Sequence, residues 1–95
     1  MLKIRSTNNA CYISLVTGEI ARVCYDKKGK NHYEFVISDS LMDAHREYKN
    51  AMRSSRDDYE NLEDFFKYCL KVEPCDINYY FNMYKDTIRK NNKES

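Results

Sequence analysis

The spacing of apolar positions changes character near residue 38. Before it, short runs rich in β-branched and aromatic residues alternate with turn residues, which is the pattern of strands. Cys11-Tyr12-Ile13-Ser14-Leu15-Val16 predicts one strand, with Thr17-Gly18 as the turn after it. Residues 19–25 predict a second strand. Residues 32–38 predict a third, with Tyr33, Phe35 and Ile37 on one face. Between these two, Asp26-Lys27-Lys28-Gly29-Lys30 reads as a hairpin turn in which Gly29 is free to take positive φ. Leu2-Lys3-Ile4-Arg5 adds an edge. Residues 2–38 are therefore expected to form a three- or four-stranded antiparallel sheet.

After residue 38 the period becomes helical. Ser38, Asp39 and Ser40 offer N-caps, and Asp43 places negative charge in the first turn. Leu41, Ala44, Tyr48, Ala51 and Met52 predict a helix over about 40–54. Asn61 caps a second helix, about 61–72, whose stripe is Leu62, Phe65, Phe66, Cys69 and Leu70 and which Pro74 stops. Asp76 caps a third, about 76–90, with Ile77, Tyr80, Phe81, Tyr84 and Ile88 on one face, and 91–95 is read as a frayed tail. The expectation is one α+β domain spanning 1–95, with helices on one face of the sheet and the other face solvated or open to a partner.

Composition narrows the function. In a chain of 95 residues, 33% charged and 42% hydrophobic positions describe a globular chain, not a disordered one. Sixteen Lys and Arg against fifteen Asp and Glu leave +1. That balance excludes a nucleic-acid binder held by bulk charge, and equally a uniformly acidic DNA mimic. No segment has the length of an apolar membrane helix, and the N-terminus lacks the apolar core of a signal peptide. A cytoplasmic location in a host cell is expected, with Cys11, Cys24, Cys69 and Cys75 reduced. No cysteine spacing matches a zinc site, and neither a metal nor a cofactor is expected.

Catalytic motifs are missing: no phosphate-binding glycine loop, no nucleophile elbow, no HExxH. Cys11 or Cys24 with His32 is the one thiol–imidazole pairing that neighbouring strands could assemble. Small core thiols and a polar strand residue account for the same positions, and the chain is read as a non-enzyme. His45, beside the apolar stripe of the first helix, reads as a partly buried packing residue.

The distribution of charge says more than its sum. Residues 1–37 hold six basic side chains (Lys3, Arg5, Arg22, Lys27, Lys28, Lys30) against Glu19, Asp26 and Glu34. Lys27, Lys28 and Lys30 make a basic hairpin tip. Asp57, Asp58, Glu60, Glu63 and Asp64 make an acidic patch around Tyr59. Each reads as a solvated surface; the patch also reads as a docking face for an Arg- and Lys-lined protein. Tyr68 and Tyr79 fall off their helical stripes and are candidate interface tyrosines.

The run Ile20-Ala21-Arg22-Val23, the turn at Gly29 and Tyr33-Glu34-Phe35-Val36-Ile37-Ser38-Asp39-Ser40 resemble the hairpin of small prophage-encoded type II-A anti-CRISPR proteins. A helix follows in both, and Tyr59-Glu60-Asn61-Leu62-Glu63-Asp64-Phe65-Phe66 is similar to the acidic Tyr segment opening that family's last helix. The likeness spans about residues 20–72. It implies a protein that occupies the PAM-reading surface of a CRISPR nuclease, with carboxylates standing in for DNA phosphates. By position, the implied contacts are Asp26 and Gly29 at the turn and Tyr59, Glu60, Glu63 and Asp64 at the helix start.

Together these readings predict a small phage or mobile-element inhibitor. It would bind a CRISPR effector or another nucleic-acid-processing host protein and block it without catalysis. The expected contacts are Asp26, Gly29, Asp57, Asp58, Tyr59, Glu60, Glu63 and Asp64. The alternative is a nucleic-acid-binding accessory or regulatory protein using Lys27, Lys28, Lys30 and Arg22. No membrane partner is expected, and the chain would be a monomer or a homodimer.

Overall fold

The chain opens on a short strand, β1 (Leu2–Ile4), and then departs from the expected meander. The structure is a computed structural model that describes residues 1–94, with the backbone alone at Arg56 and 91–94. Residues 11–16 are helical, within α1 (Thr7–Thr17). Both ends of α1 are capped. Ser6 Oγ accepts the Asn9 N–H at 3.3 Å, and Gly18, at φ 77°, donates its N–H to the Ser14 carbonyl at 2.8 Å. Residues 9–14 are all buried. Where residues 9–14 are enclosed, the helix has no polar face, so its sequence shows no amphipathic period and its Tyr, Ile and Val read as strand formers.

The remaining strands are β2 (Arg22–Tyr25) and β3 (Asn31–Phe35), joined by the expected hairpin turn. The sheet is antiparallel with order β1-β3-β2. The register pairs Ile4 with Tyr33, Tyr33 with Val23, and Cys24 with His32. The fold is thus α+β as expected, with three strands and with four helices where three were expected. Its third strand ends at Phe35, and Val36 and Ile37 lie beyond it, exposed.

The helix α2 (Asp39–Ser55) matches its periodicity, burying Leu41, Ala44 and Tyr48. A 3-10 turn, Arg56–Asp58, follows. The next helix is not the regular one expected over 61–72. A single α turn, α3 (Leu62–Asp64), passes into a π turn, Phe65–Cys69, closed by Leu70 N–H donating to the Phe65 carbonyl. The wider turn lets both Phe65 and Phe66 face the core. Lys71, in the left-handed region at φ 56°, ends the segment. Pro74 does not stop a helix; it begins α4 (Pro74–Glu94) as its first residue, where a missing N–H costs nothing. The carbonyl of Glu73, not Asp76, receives the first helical N–H groups, and Asp76 supplies charge in the first turn. The expected tail at 91–95 is helical through Glu94, and Ser95 lies outside the described residues.

The core runs between α1 and its neighbours. Ile4, Tyr33 and Phe35 cover the inner sheet face, Cys11 and Ile13 come from α1, Leu41 and Tyr48 from α2, and Ile77 and Tyr84 from α4. Each large side chain removed from water contributes about 1.5–3 kcal/mol. Tyr33 and Tyr84 meet edge to face with centroids 5.0 Å apart. The opposite sheet face carries Lys3, Arg22, Cys24, His32 and Glu34, because directly paired residues share a face.

Candidate functional site

Three local devices shape the acidic segment. The 3-10 turn carries Asp57 and Asp58 away from the end of α2. Tyr59, half-buried, packs edge to face on Phe65 at 6.1 Å between centroids. Asn61 Oδ1 accepts the Asp64 N–H at 2.9 Å and so caps α3. With the backbone held this way, Asp57, Asp58, Glu60 and Glu63 are exposed and Asp64 is half-buried. Among the described side chains, none of these five carboxylates enters an ion pair.

Two grooves border the segment. The first, about 360 Å³, has Tyr48, Met52 and Phe65 behind it and Tyr59 and Glu60 along it. The second, about 120 Å³, has Phe66, Ile77 and Phe81 behind it and Glu63 along it. Leu62 and Asn8 line both, and Leu62 is 44% exposed. Leu62, expected in the buried stripe, instead forms an apolar ridge between two acidic walls. Tyr48, itself 4% exposed, lines the first groove beside Ser6, with its hydroxyl closed off from solvent. Burial raises its phenol above the ordinary value, with the neighbouring Ser6 hydroxyl opposing.

The hairpin tip is built differently. Asp26 Oδ1 accepts the backbone N–H groups of Lys28 and Lys30, both at 2.9 Å, and the Gly29 N–H donates to the Asp26 carbonyl at 3.0 Å. Gly29 takes the expected positive φ, 78°. Arg5 stands 3.6 Å from the same carboxylate. The Lys30 N–H, ahead of that of Lys28 and the Arg5 guanidinium, holds the Asp26 carboxyl below the ordinary carboxylate range against some burial. Asp26 is thus occupied in shaping its own turn. With Arg5, Lys27, Lys28 and Lys30 it lines an open groove of about 500 Å³, which shares no lining residue with the Tyr59–Glu60 groove.

The basic side chains of the first 37 residues fall in two groups. Lys3 and Arg22 are both paired with Glu34 in register, so they lie on the outer sheet face, and the Lys tip extends from the end of the same sheet. Arg22 Nη2 is 3.7 Å from Glu34 Oε2.

The thiols separate. Cys11 is enclosed in the core, where burial pushes its thiol up to about 12, so the Cys11–His32 pairing is absent: residue 11 sits on a helix, not on a neighbouring strand. Cys24 does face His32 across the hairpin, and Glu34 completes a cluster with them. The sequence carried this signal only in the register, since Glu34 stands two residues from His32 on the same face. His45 is half-buried, its Nδ1 at 3.1 Å from Asn9 Nδ2, and burial, then Lys49, lowers its pKa. Tyr68 and Tyr79 are exposed at 60% and 67%.

No helix among the described residues is long and apolar enough to cross a membrane. Neither a family model, nor a curated protein, nor a solved structure matches the chain.

Proposed function

We propose that the chain is a small inhibitory binding protein that docks a cationic cleft of a protein partner through the acidic segment, without transforming a substrate. A CRISPR effector nuclease is the proposed partner, in keeping with the resemblance over about residues 20–72, and a phage or mobile element is the proposed source. The observation that carries the reading is the ridge of Leu62 between two grooves walled by Glu60 and Glu63, whose carboxylates pair with no described cation. An apolar centre with a charged rim is the anatomy of a docking patch. Arg side chains of the partner would meet the carboxylates. Asp26 and Gly29 enter this account as the frame of the tip, not as part of the groove. The test is pull-down against purified CRISPR effectors, with and without guide RNA, together with a DNA-cleavage assay. Capture and blocked cleavage are expected; no capture by any effector and unimpaired cleavage contradict the reading.

A second reading rests on the other surface. Lys3 and Arg22 lie on the outer face of the sheet and Lys27, Lys28 and Lys30 at its hairpin end, cations that could contact a phosphate backbone. It predicts salt-sensitive nucleic-acid binding that Glu replacements at the three tip lysines abolish. A flat gel-shift titration at low salt disposes of it.

A further inference from the structure

We infer that Cys24, His32 and Glu34 form a binding site for a thiophilic divalent cation of the zinc type on the outer face of the sheet. The cluster is independent of the acidic grooves. Pairing of Cys24 with His32 across β2 and β3 puts thiol and imidazole on one face, and Glu34, two residues along β3, joins them there. One ligand atom from each of the three lies within 4.8 Å of the others, and His32 Nε2 is 3.2 Å from Glu34 Oε1. Bonds of about 2.0–2.3 Å to a tetrahedral ion set ligand atoms about 3.3–3.8 Å apart. The nitrogen–oxygen edge therefore already has nearly the right length, and the sulfur needs only a small inward movement. The His32 side chain is 11% exposed and that of Glu34 14%, so two of the three ligands are already fixed by burial.

The donor set selects the ion. One sulfur, one imidazole nitrogen and one carboxylate oxygen suit zinc and its neighbours, whereas calcium and magnesium take oxygen ligands. Binding converts the Cys24 thiol to thiolate, whose proton leaves to solvent, and His32 ligates as its Nδ1–H tautomer, giving up the Nε2 proton now hydrogen-bonded to Glu34. The dication is then balanced by thiolate and carboxylate around neutral His32, with a fourth position open to water.

The structure holds a cation at this cluster already. The Arg22 guanidinium donates from Nε to Cys24 Sγ at 3.3 Å and reaches Glu34 Oε2 at 3.7 Å. Arg22 is 76% exposed, so it can swing into water when a metal takes its place. Arg22 therefore competes with the metal.

Cobalt(II) titration of the full reduced chain, followed by absorption, tests the site. One equivalent should produce a thiolate-to-cobalt charge-transfer band with the intense visible bands of four-coordinate cobalt, and zinc should erase both. Cys24→Ser, at a half-buried position of the sheet surface, should abolish the charge-transfer band while circular dichroism is unchanged. Glu34→Gln should weaken binding by at least about 10-fold. Arg22→Ala keeps all three ligands and should bind cobalt more tightly. Cys69→Ser and Cys75→Ser should leave the spectrum as it is. Failure of the band to form at saturating cobalt, its survival in Cys24→Ser, its loss in Cys75→Ser, or weaker binding by Arg22→Ala would each overturn the assignment.

Discussion

The hydroxyls of Ser14 and Tyr84, 70 residues apart in sequence, are hydrogen-bonded inside the core, and the Tyr84 oxygen also accepts the Ala21 N–H at 3.0 Å. One phenol thereby joins α1, α4 and the backbone leading into β2. Tyr84→Phe leaves the Ser14 hydroxyl and the Ala21 N–H buried without it, and should cost about 1–3 kcal/mol in urea unfolding. Ser14→Ala keeps the Ala21 bond and should cost less. Equal losses would show that the three-way junction is not the cause.

Asn61 positions the acidic segment without belonging to its charge. Asn61→Ala removes the cap on the Asp64 N–H and should lower stability by about 1 kcal/mol. Partner capture should weaken as well, although no carboxylate is lost. Unchanged capture would separate the cap from the docking surface.

Acid should loosen the hairpin tip. The folded Asp26 carboxyl titrates below its ordinary value because of the Lys30 and Lys28 N–H bonds and Arg5. Its stabilisation is therefore present above the unfolded carboxylate value of about 3.9 and is lost as pH falls through the folded one. Asp26→Ala should lower the urea midpoint relative to the parent chain at about pH 7, and the difference should shrink towards about pH 2. A difference independent of pH would contradict the assignment. Glu34, held low chiefly by His32, contributes with the same sign.

Burial orders the thiols. Cys75 is exposed, Cys24 and Cys69 are half-buried, and Cys11 is enclosed with its thiol pushed up to about 12. Alkylation of the native chain, read by mass spectrometry, should modify Cys75 first and Cys11 only on unfolding. Early labelling of Cys11 would mean that α1 opens in the native state.

Particular residues show what the sequence revealed. Asp26 and Gly29 announced the hairpin because a tight turn needs local chemistry that neighbours do not override. Leu41, Ala44 and Tyr48, and Ile77 with Tyr84, announced α2 and α4 because each helix has one wet face. Residues 11–16 misled, since a helix whose middle, residues 9–14, is buried all round shows no period there and its β-branched and aromatic residues dominate the local preference; Ser6 and Gly18 were its surviving marks. The π turn at Phe65–Cys69 depends on two adjacent Phe rings both finding the core, which only tertiary packing decides. The acidic side of the candidate site was legible as a charge cluster. Its grooves were not, because Asn8 of α1 lines both and Tyr48 of α2 lines the first.

The claim that the acidic ridge does the binding is tested most directly by calorimetric titration of a CRISPR effector nuclease with the parent chain and with a Glu60→Gln, Leu62→Ala, Glu63→Gln variant. All three positions are exposed, so folding should survive. Saturable binding by the parent, weakened by added salt and lost in the variant, is the predicted result. Equal binding by the variant, or none by the parent, would contradict it.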